Sequence, residues 1–501
     1  MHQLTTNLHI FATTNIKTSQ QMKISQISLS VAMSALLLAT GCNYSEEDDI
    51  IVSQRSKEAI ERSQQNKDYT VWQFIRGTAY IFYLWNEKVP SNNIDYSKYA
   101  TPEALFESFR HEDDRFSVVV NNYTEISNQF NNTFESDGTE YQLFLDGETG
   151  NNVIAIVDYV YDDSPAQKAG VKRGYVIHKV NGTQLNTDNY AELLDQKTCT
   201  YTYSELKTVE ENGNVSLSYG DDLRETPAIT KESMAIDPVL KTSVFVKDGK
   251  RIGYFLYDAF TQETDGIIKA VEKLEAQQID ELVLDLRLNG GGYINTLDTL
   301  ASMLVPDGNE GKLFIQENFN DIYTAELLRK SKDRNFNKSF FAANLPNLHL
   351  SRLYVLTSGC TASASEELIS GLQPYMPVTI IGETTVGKFT SNFLINDIDD
   401  KGTDPDGIPY NEWAIYLCVA SCTNSLGEMN FKDGFKPDYP VVDTHQHELG
   451  DENEPLLAKA IELCTGEAIS KSMRPSPTPL QGYVGHHGKP INNYGLISAK
   501  K

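Results

Sequence analysis

The run Leu284-Asp285-Leu286-Arg287-Leu288-Asn289-Gly290-Gly291-Gly292 restricts the fold of this chain more than any other stretch. Glu281 to Leu286 has the short apolar character of a buried strand, and it runs straight into three glycines. From about 226 to 465, strand-like and helix-like runs alternate around it. Arg352 to Thr357 and Val378 to Gly382 read as strands, Thr296 to Leu304 and Ser363 to Leu372 as helices. That alternation indicates an α/β domain. The glycines leave backbone N–H groups uncovered by side chains, which suits an oxyanion hole at Gly291, although such a loop also simply turns a chain.

Two more segments of this region carry reactive side chains. In Cys360-Thr361-Ala362-Ser363-Ala364-Ser365-Glu366 small residues surround a serine. In Gly382-Glu383-Thr384-Thr385-Val386-Gly387-Lys388 a glycine precedes a lysine. Ser363 and Lys388 are 25 residues apart, each just past a strand-like run. A serine hydroxyl becomes a nucleophile when a base takes its proton, and lysine is such a base in its neutral form, which apolar burial favours. In the first turn of a helix Ser363 lies near the positive end, where the N–H of Ala364 can meet a developing oxyanion. Alone, Lys388 is an ordinary surface lysine and Thr361 or Ser365 an ordinary helix cap. Together the segments describe a serine–lysine dyad.

At 501 residues the chain has room for two or three domains, and its net charge of −26 argues against nucleic acid or an anionic membrane face as a partner. Residues 1–41 read as a signal region whose true start is Met22. Lys23 is followed by the apolar run Ile27 to Leu38 and then by Ala39-Thr40-Gly41-Cys42, a lipobox-like site that makes Cys42 a lipidated N-terminus. The expectation is an envelope lipoprotein, touching the membrane only through its anchor. Asn43 after the cysteine favours the outer membrane, and the periplasmic and external faces both stay open. Residues 42–66 form a polar tether. Of the other cysteines, Cys418 and Cys422 are close enough in sequence to pair, while a zinc site lacks a second such pair.

Residues 67–140 read as a helical N-terminal domain, with Trp72, Phe74, Ile75, Ala79, Tyr83 and Trp85 as its apolar face and a second helix opening at Thr101-Pro102. Residues 141–225 turn to short strands, including Val153 to Val157 and Val176 to Val180. Residues 466–501, rich in Pro and Gly, read as a flexible tail in which His486 and His487 have no fixed place. His445-Gln446-His447 reads as a surface loop rather than a metal site, because no His-Glu-x-x-His accompanies it.

The stretch Ser164-Pro165-Ala166-Gln167-Lys168-Ala169-Gly170-Val171-Lys172-Arg173-Gly174-Tyr175-Val176-Ile177, leading into Val180-Asn181-Gly182, resembles the PDZ domains of bacterial proteases. Such a domain takes an extended peptide as an added strand, with its carboxylate-binding loop expected near Tyr141 to Leu145. A mere spacer is the alternative.

The order of glycine loop, Ser-Ala-Ser-Glu and Gly-Glu-x-x-x-Gly-Lys resembles the C-terminal processing (tail-specific) serine peptidases, from about 141 to a closing Asp433-Gly434-Phe435-Lys436-Pro437-Asp438. The resemblance implies a crotonase/ClpP-like α/β catalytic domain over 226–465, with an inserted-type PDZ domain and the helical N-terminal domain. It makes Ser363 the nucleophile, Lys388 its base and Glu366 a match to an acidic position of the motif. Protein or peptide substrates with free C-termini, and no metal or organic cofactor, follow from it. Where many members have Asp, Gln and Gly, this chain has Pro374, Asn392 and Phe389. Asn392 keeps an amide to orient the lysine but is one methylene shorter. These departures motivate the rival expectation, a lipid-anchored peptide-binding scaffold whose peptidase site has decayed.

Overall fold

The computed structural model describes residues 71–90, 94–130, 132–146, 150–211, 214–396, 412–466 and 482–488. The signal region, Cys42 and the tether lie outside them. Among the described residues no helix is long and apolar enough to cross a membrane.

The chain divides into two compact units. The first takes the described residues up to Ser127 together with those of Gln316–Lys338 and Thr390–Cys422. Helix Val71–Phe82 buries Val71, Trp72, Phe74, Ile75, Ala79 and Phe82, the one-sided stripe expected of an amphipathic helix. Later segments complete its surroundings. Asn320 donates its side-chain amide to the carbonyls of Ile81 and Tyr83 at 3.0 and 2.8 Å, and Leu84 N–H donates to Cys418 O at 2.9 Å. The reading at Thr101 holds: its hydroxyl accepts from Ala104 N–H, with Pro102 in the first turn of Pro102–Glu107.

The second unit is built on a six-stranded sheet in the order Val239–Lys247, Lys250–Tyr257, Glu281–Asp285, Leu353–Thr357, Val378–Gly382, Tyr439–Pro440. The first two strands are antiparallel and every later neighbour is parallel. Glu281–Asp285 and Leu353–Thr357 are buried throughout, as central parallel strands covered on both faces must be. On one face Ile252, Tyr254, Val283, Leu356 and Ile381 pack against Leu456, Leu457 and Ile461 of helix Pro455–Thr465. The parallel arrangement has a direct consequence. The loops after Asp285, Thr357 and Gly382 all leave the sheet at one edge, the carboxyl edge where α/β sheets bind their ligands.

The same unit holds a second, antiparallel sheet containing Thr139–Leu145, Val153–Val160, Tyr175–Val180 and Tyr201–Glu211. Ser164 caps the short helix Pro165–Lys168, Gly170 leaves it at φ 84°, and Asn181-Gly182 turns at φ 50° and 76° between Val180 and Thr183. Two successive positive φ values define the hairpin turn that the Asn-Gly pair suggested.

Two expectations need correction here. Part of the expected flexible tail is ordered: Tyr483–His487 is a strand, antiparallel to Thr139–Leu145 at the edge of this sheet. Backbone pairing, which makes few demands on composition, holds it. Cys418 and Cys422 are both free and buried. They sit four residues apart on one strand, Ala414–Asn424, which puts their Cα atoms roughly 13 Å apart, far beyond disulfide reach.

Candidate active site

Three loops leaving the sheet at one edge supply the site, and hydrogen bonds stitch them together. Asp285, at the end of its strand, accepts from Tyr254 OH at 2.7 Å and from the Arg287 guanidinium at 2.7 Å. Arg287 also pairs with Glu454 and Asp443, at 2.8 and 2.9 Å. This buried network fixes the start of the glycine loop. The loop's carbonyls then hold the serine segment: Ser358 Oγ donates to Arg287 O (2.6 Å), Thr361 Oγ1 to Leu286 O (2.9 Å), and Ala362 N–H to Asn289 O (3.2 Å).

Ser363 stands at the N-terminus of helix Ala364–Leu372, with φ 56° and ψ −118°. A serine rarely adopts this conformation, and such strain is kept where the surroundings over-determine it, typically at active sites. Gly291 makes room for it. A Cβ on Gly291 would lie 2.7 Å from Ser363 Cβ and 2.9 Å from Ala362 O, and Gly291 itself has φ 100°.

Glu366 joins the serine to the lysine. Its carboxylate is wholly buried in the first turn of the helix and accepts four donors: the amides of Ser363 (2.9 Å), Gly387 (2.6 Å) and Lys388 (2.8 Å), and the Thr385 hydroxyl. Burial pushes its pKa up, and these hydrogen bonds pull the other way. Val386 N–H donates to Thr361 O at 3.0 Å, a second tie between the segments. Lys388 is only 8 % exposed. The closing motif packs behind it: Thr385 and Phe435 exchange hydrogen bonds, and Gly434 and Gly387 permit backbone approaches that a Cβ would block.

Two expected roles look different in the structure. The Gly291 N–H donates to Asn289 Oδ1 at 2.9 Å, while Asn289 Nδ2 donates to Tyr257 O at 3.0 Å. In this arrangement the Gly291 amide is committed inside its own loop, so the glycine serves close approach rather than oxyanion binding. Ala364 N–H keeps the expected place, as the first amide of its helix with no intrahelical acceptor available to it. Asn392 belongs to the first unit, where its amide accepts from Thr390 Oγ1 (3.2 Å) and donates to Cys418 Sγ (3.4 Å). Asn289 was missed by the sequence reading. Glu366 was legible as the acidic position of the motif, while its capping box with Ser363 emerges only in the structure.

His445 is buried, not on a surface loop. It lies 3.1 Å from Asp158, and with Asp443 these residues form a group with metal-ligand spacing. Arg173 reaches both carboxylates and Arg287 reaches Asp443, so the negative charge is already neutralised. Burial would raise the Asp158 pKa, but His445 and Arg173 hold it down at about 2. Asp443 is held well below its ordinary value, burial being outweighed by Arg173, His445 and Arg287. The group is an ion-pair network on this showing, not a cation site.

Residues 251–441 match the model of peptidase family S41, and residues 71–118 match that of the peptidase S41 N-terminal domain. The loops described above, from Leu286 to Lys388, all fall within the first of these matches. The chain is 28% identical over 333 residues to the carboxy-terminal processing protease CtpA of Bacillus subtilis, covering 65% of this chain and 60% of that protein. It is 26% identical over 279 residues to a chloroplastic C-terminal processing peptidase of Tetradesmus obliquus, covering 53% and 54%. The matches thus span only half to three fifths of these relatives. Among solved structures, a Bacteroides fragilis protein classed as an S41 protease shares 26% identity and a TM-score of 0.63, over 78% of this chain and 97% of that one.

Proposed function

We propose that this chain is a serine endopeptidase of the C-terminal processing type, with Ser363 as nucleophile and Lys388 as its base. The observation that carries the reading is the shared carboxylate of Glu366, which fixes the backbone of both residues at once. Neutral Lys388 takes the hydroxyl proton as Ser363 Oγ attacks the scissile carbonyl. The Ala364 amide, at the positive end of its helix, stabilises the oxyanion. As the C–N bond breaks, Lys388 returns the proton to the leaving amine. Water, losing a proton to the same lysine, then hydrolyses the ester and restores Ser363. Every proton and bond in the cycle is handled by the chain itself, with no cofactor.

The antiparallel module around Thr139–Glu211 is read as a PDZ domain that recruits substrate tails to a crotonase/ClpP-like catalytic domain. Its capped short helix, Gly170 and the Asn181-Gly182 turn support that reading. The lipobox at Cys42 supports an outer-membrane lipoprotein facing the periplasm or the exterior. The committed Gly291 amide favours a second reading, a decayed scaffold that binds tails without cleaving them.

Mass spectrometry of an unstructured protein incubated with the wild type, Ser363→Ala and Lys388→Ala tests the proposal. Cleavage by the wild type alone establishes the dyad. Bound but uncleaved tail peptides would move the assignment to the scaffold.

A further inference from the structure

Tyr141 to Leu145, where the PDZ reading expects the carboxylate-binding loop, lie in the strand Thr139–Leu145, and the place for an added strand beside it is taken. Tyr483–His487 pairs along it, with Gly485 opposite Leu143, His486 opposite Gln142 and His487 opposite Tyr141. Leu145 N–H donates to Gly482 O at 2.8 Å, extending the ladder. Val484 packs on the module's core, which includes Tyr141 and Leu143 of the edge strand and Leu194 of helix Tyr190–Leu194. His487 Nε2 lies 3.3 Å from Asp195, the residue that ends this helix. Strand on one side, helix on the other, an apolar side chain between: that is an extended peptide docked by strand addition.

The docked segment also touches the catalytic loop. His486 Nδ1 lies 3.2 Å from Cys360 Sγ and its Nε2 lies 2.8 Å from Glu140 Oε2, with all three residues buried. Cys360 is three residues ahead of Ser363. Tyr483 and Cys360 line one cavity of about 180 Å³ together with Phe144 and Arg287, so the segment sits against the space beside the serine loop.

We propose that residues 482–488 are a built-in ligand of this groove, an in-chain competitor that a substrate tail must displace and whose departure releases Cys360 on the nucleophile loop. The inference rests on the PDZ reading given above. It also specifies the partner: an extended peptide with a small β-branched apolar residue where Val484 lies. A tethered competitor weakens every incoming peptide by the fraction of time it leaves the groove open. For a short tether at millimolar effective concentration, that is about tenfold against a segment of modest intrinsic affinity.

The test uses the full chain carrying Ser363→Ala, so that nothing is cleaved. The probe is a fluorescein-labelled synthetic peptide of residues 482–488, followed by anisotropy. Cys360 alkylation by N-ethylmaleimide is followed in parallel by mass spectrometry. Val484→Glu should tighten probe binding about tenfold and speed alkylation, and Val484→Ala should do both to a smaller degree. Unlabelled peptide should slow alkylation of the Val484→Glu protein again, which a merely misfolded variant would not show. His486→Ala should speed alkylation more than it changes probe binding. Equal probe affinity and equal alkylation in the parent and both Val484 variants would overturn the proposal, as would failure of every form to bind the probe. Because no arm depends on cleavage, an inactive wild-type enzyme would sink the peptidase assignment and leave this inference standing.

Discussion

Ser363 and Lys388 donate their backbone amides to a single atom, Oε2 of Glu366, at 2.9 and 2.8 Å. The Ser363 segment and the Lys388 segment are therefore positioned by one buried group rather than by two independent loops. Glu366→Gln puts an amide N–H among donors that need an acceptor. Each charge-assisted bond of this kind contributes about 1.5–3 kcal/mol. Losing one or two should cost about 2–4 kcal/mol of stability in urea unfolding and lower kcat/KM at least about 10²-fold. An active Gln variant with an unchanged unfolding midpoint would refute the positioning role.

Gly291→Ala should inactivate the protein. The new Cβ would meet Ser363 Cβ at 2.7 Å, in a backbone conformation with φ 100°. Overpacking and strain of this order cost about 1–3 kcal/mol. Gly170→Ala is the control: its φ is 84°, but nothing lies within 4 Å, so it should show the backbone cost with activity preserved. Peptide cleavage and thermal unfolding of the two variants distinguish steric from backbone effects.

The Asp158–His445–Asp443 network sets acid stability. Asp158 is held at about 2 against an ordinary 3.8. A depressed carboxylate contributes stability that is complete above its unfolded value and is lost as pH falls through the folded one. Here the loss runs from about pH 4 down to about pH 2 and is on the order of 2 kcal/mol for Asp158. Unfolding of the wild type and Asp158→Asn across pH 7 to 2 should show the difference between them shrinking over that window. A constant difference would contradict it.

His486 responds in the opposite sense. Burial would lower its pKa, but contact with Cys360 and Glu140 raises it well above 6.5. Its stabilisation of the docked strand is complete below about pH 6.5 and fades as pH rises through the raised value. Tyr161 OH, which donates to Glu140, and Tyr483 are the other titratable groups beside it. Hydrogen-exchange protection of residues 483–487 should decline on going from pH 6 to pH 9. His486→Asn should start lower and stay flat.

The strands and helices that position the site were legible because a fully buried strand and an amphipathic helix each impose a period on the sequence. Val378–Gly382 falls where it was expected, and Leu353–Thr357 and Ala364–Leu372 each begin one residue later. The serine and lysine segments were legible as motifs, and Glu366 as the acidic position of the first. What could not be read was set by partners distant in sequence. Asn289 matters because it takes the Gly291 amide, and no residue pattern announces a side chain turning back on its own loop. His445 looked like a loop histidine because Asp158 lies nearly three hundred residues earlier. The strand at Tyr483 escaped notice because it pairs through its backbone, in a segment too poor in apolar residues to suggest burial.

Glu140 and His486 are separated by 346 positions along the chain. During synthesis at about 5–20 residues per second, the edge strand Thr139–Leu145 leaves the ribosome roughly twenty seconds or more before its neighbour. Throughout that interval its backbone is an open template for any extended chain nearby. The pairing of Tyr483–His487 with this strand therefore waits on a segment made more than three hundred residues later.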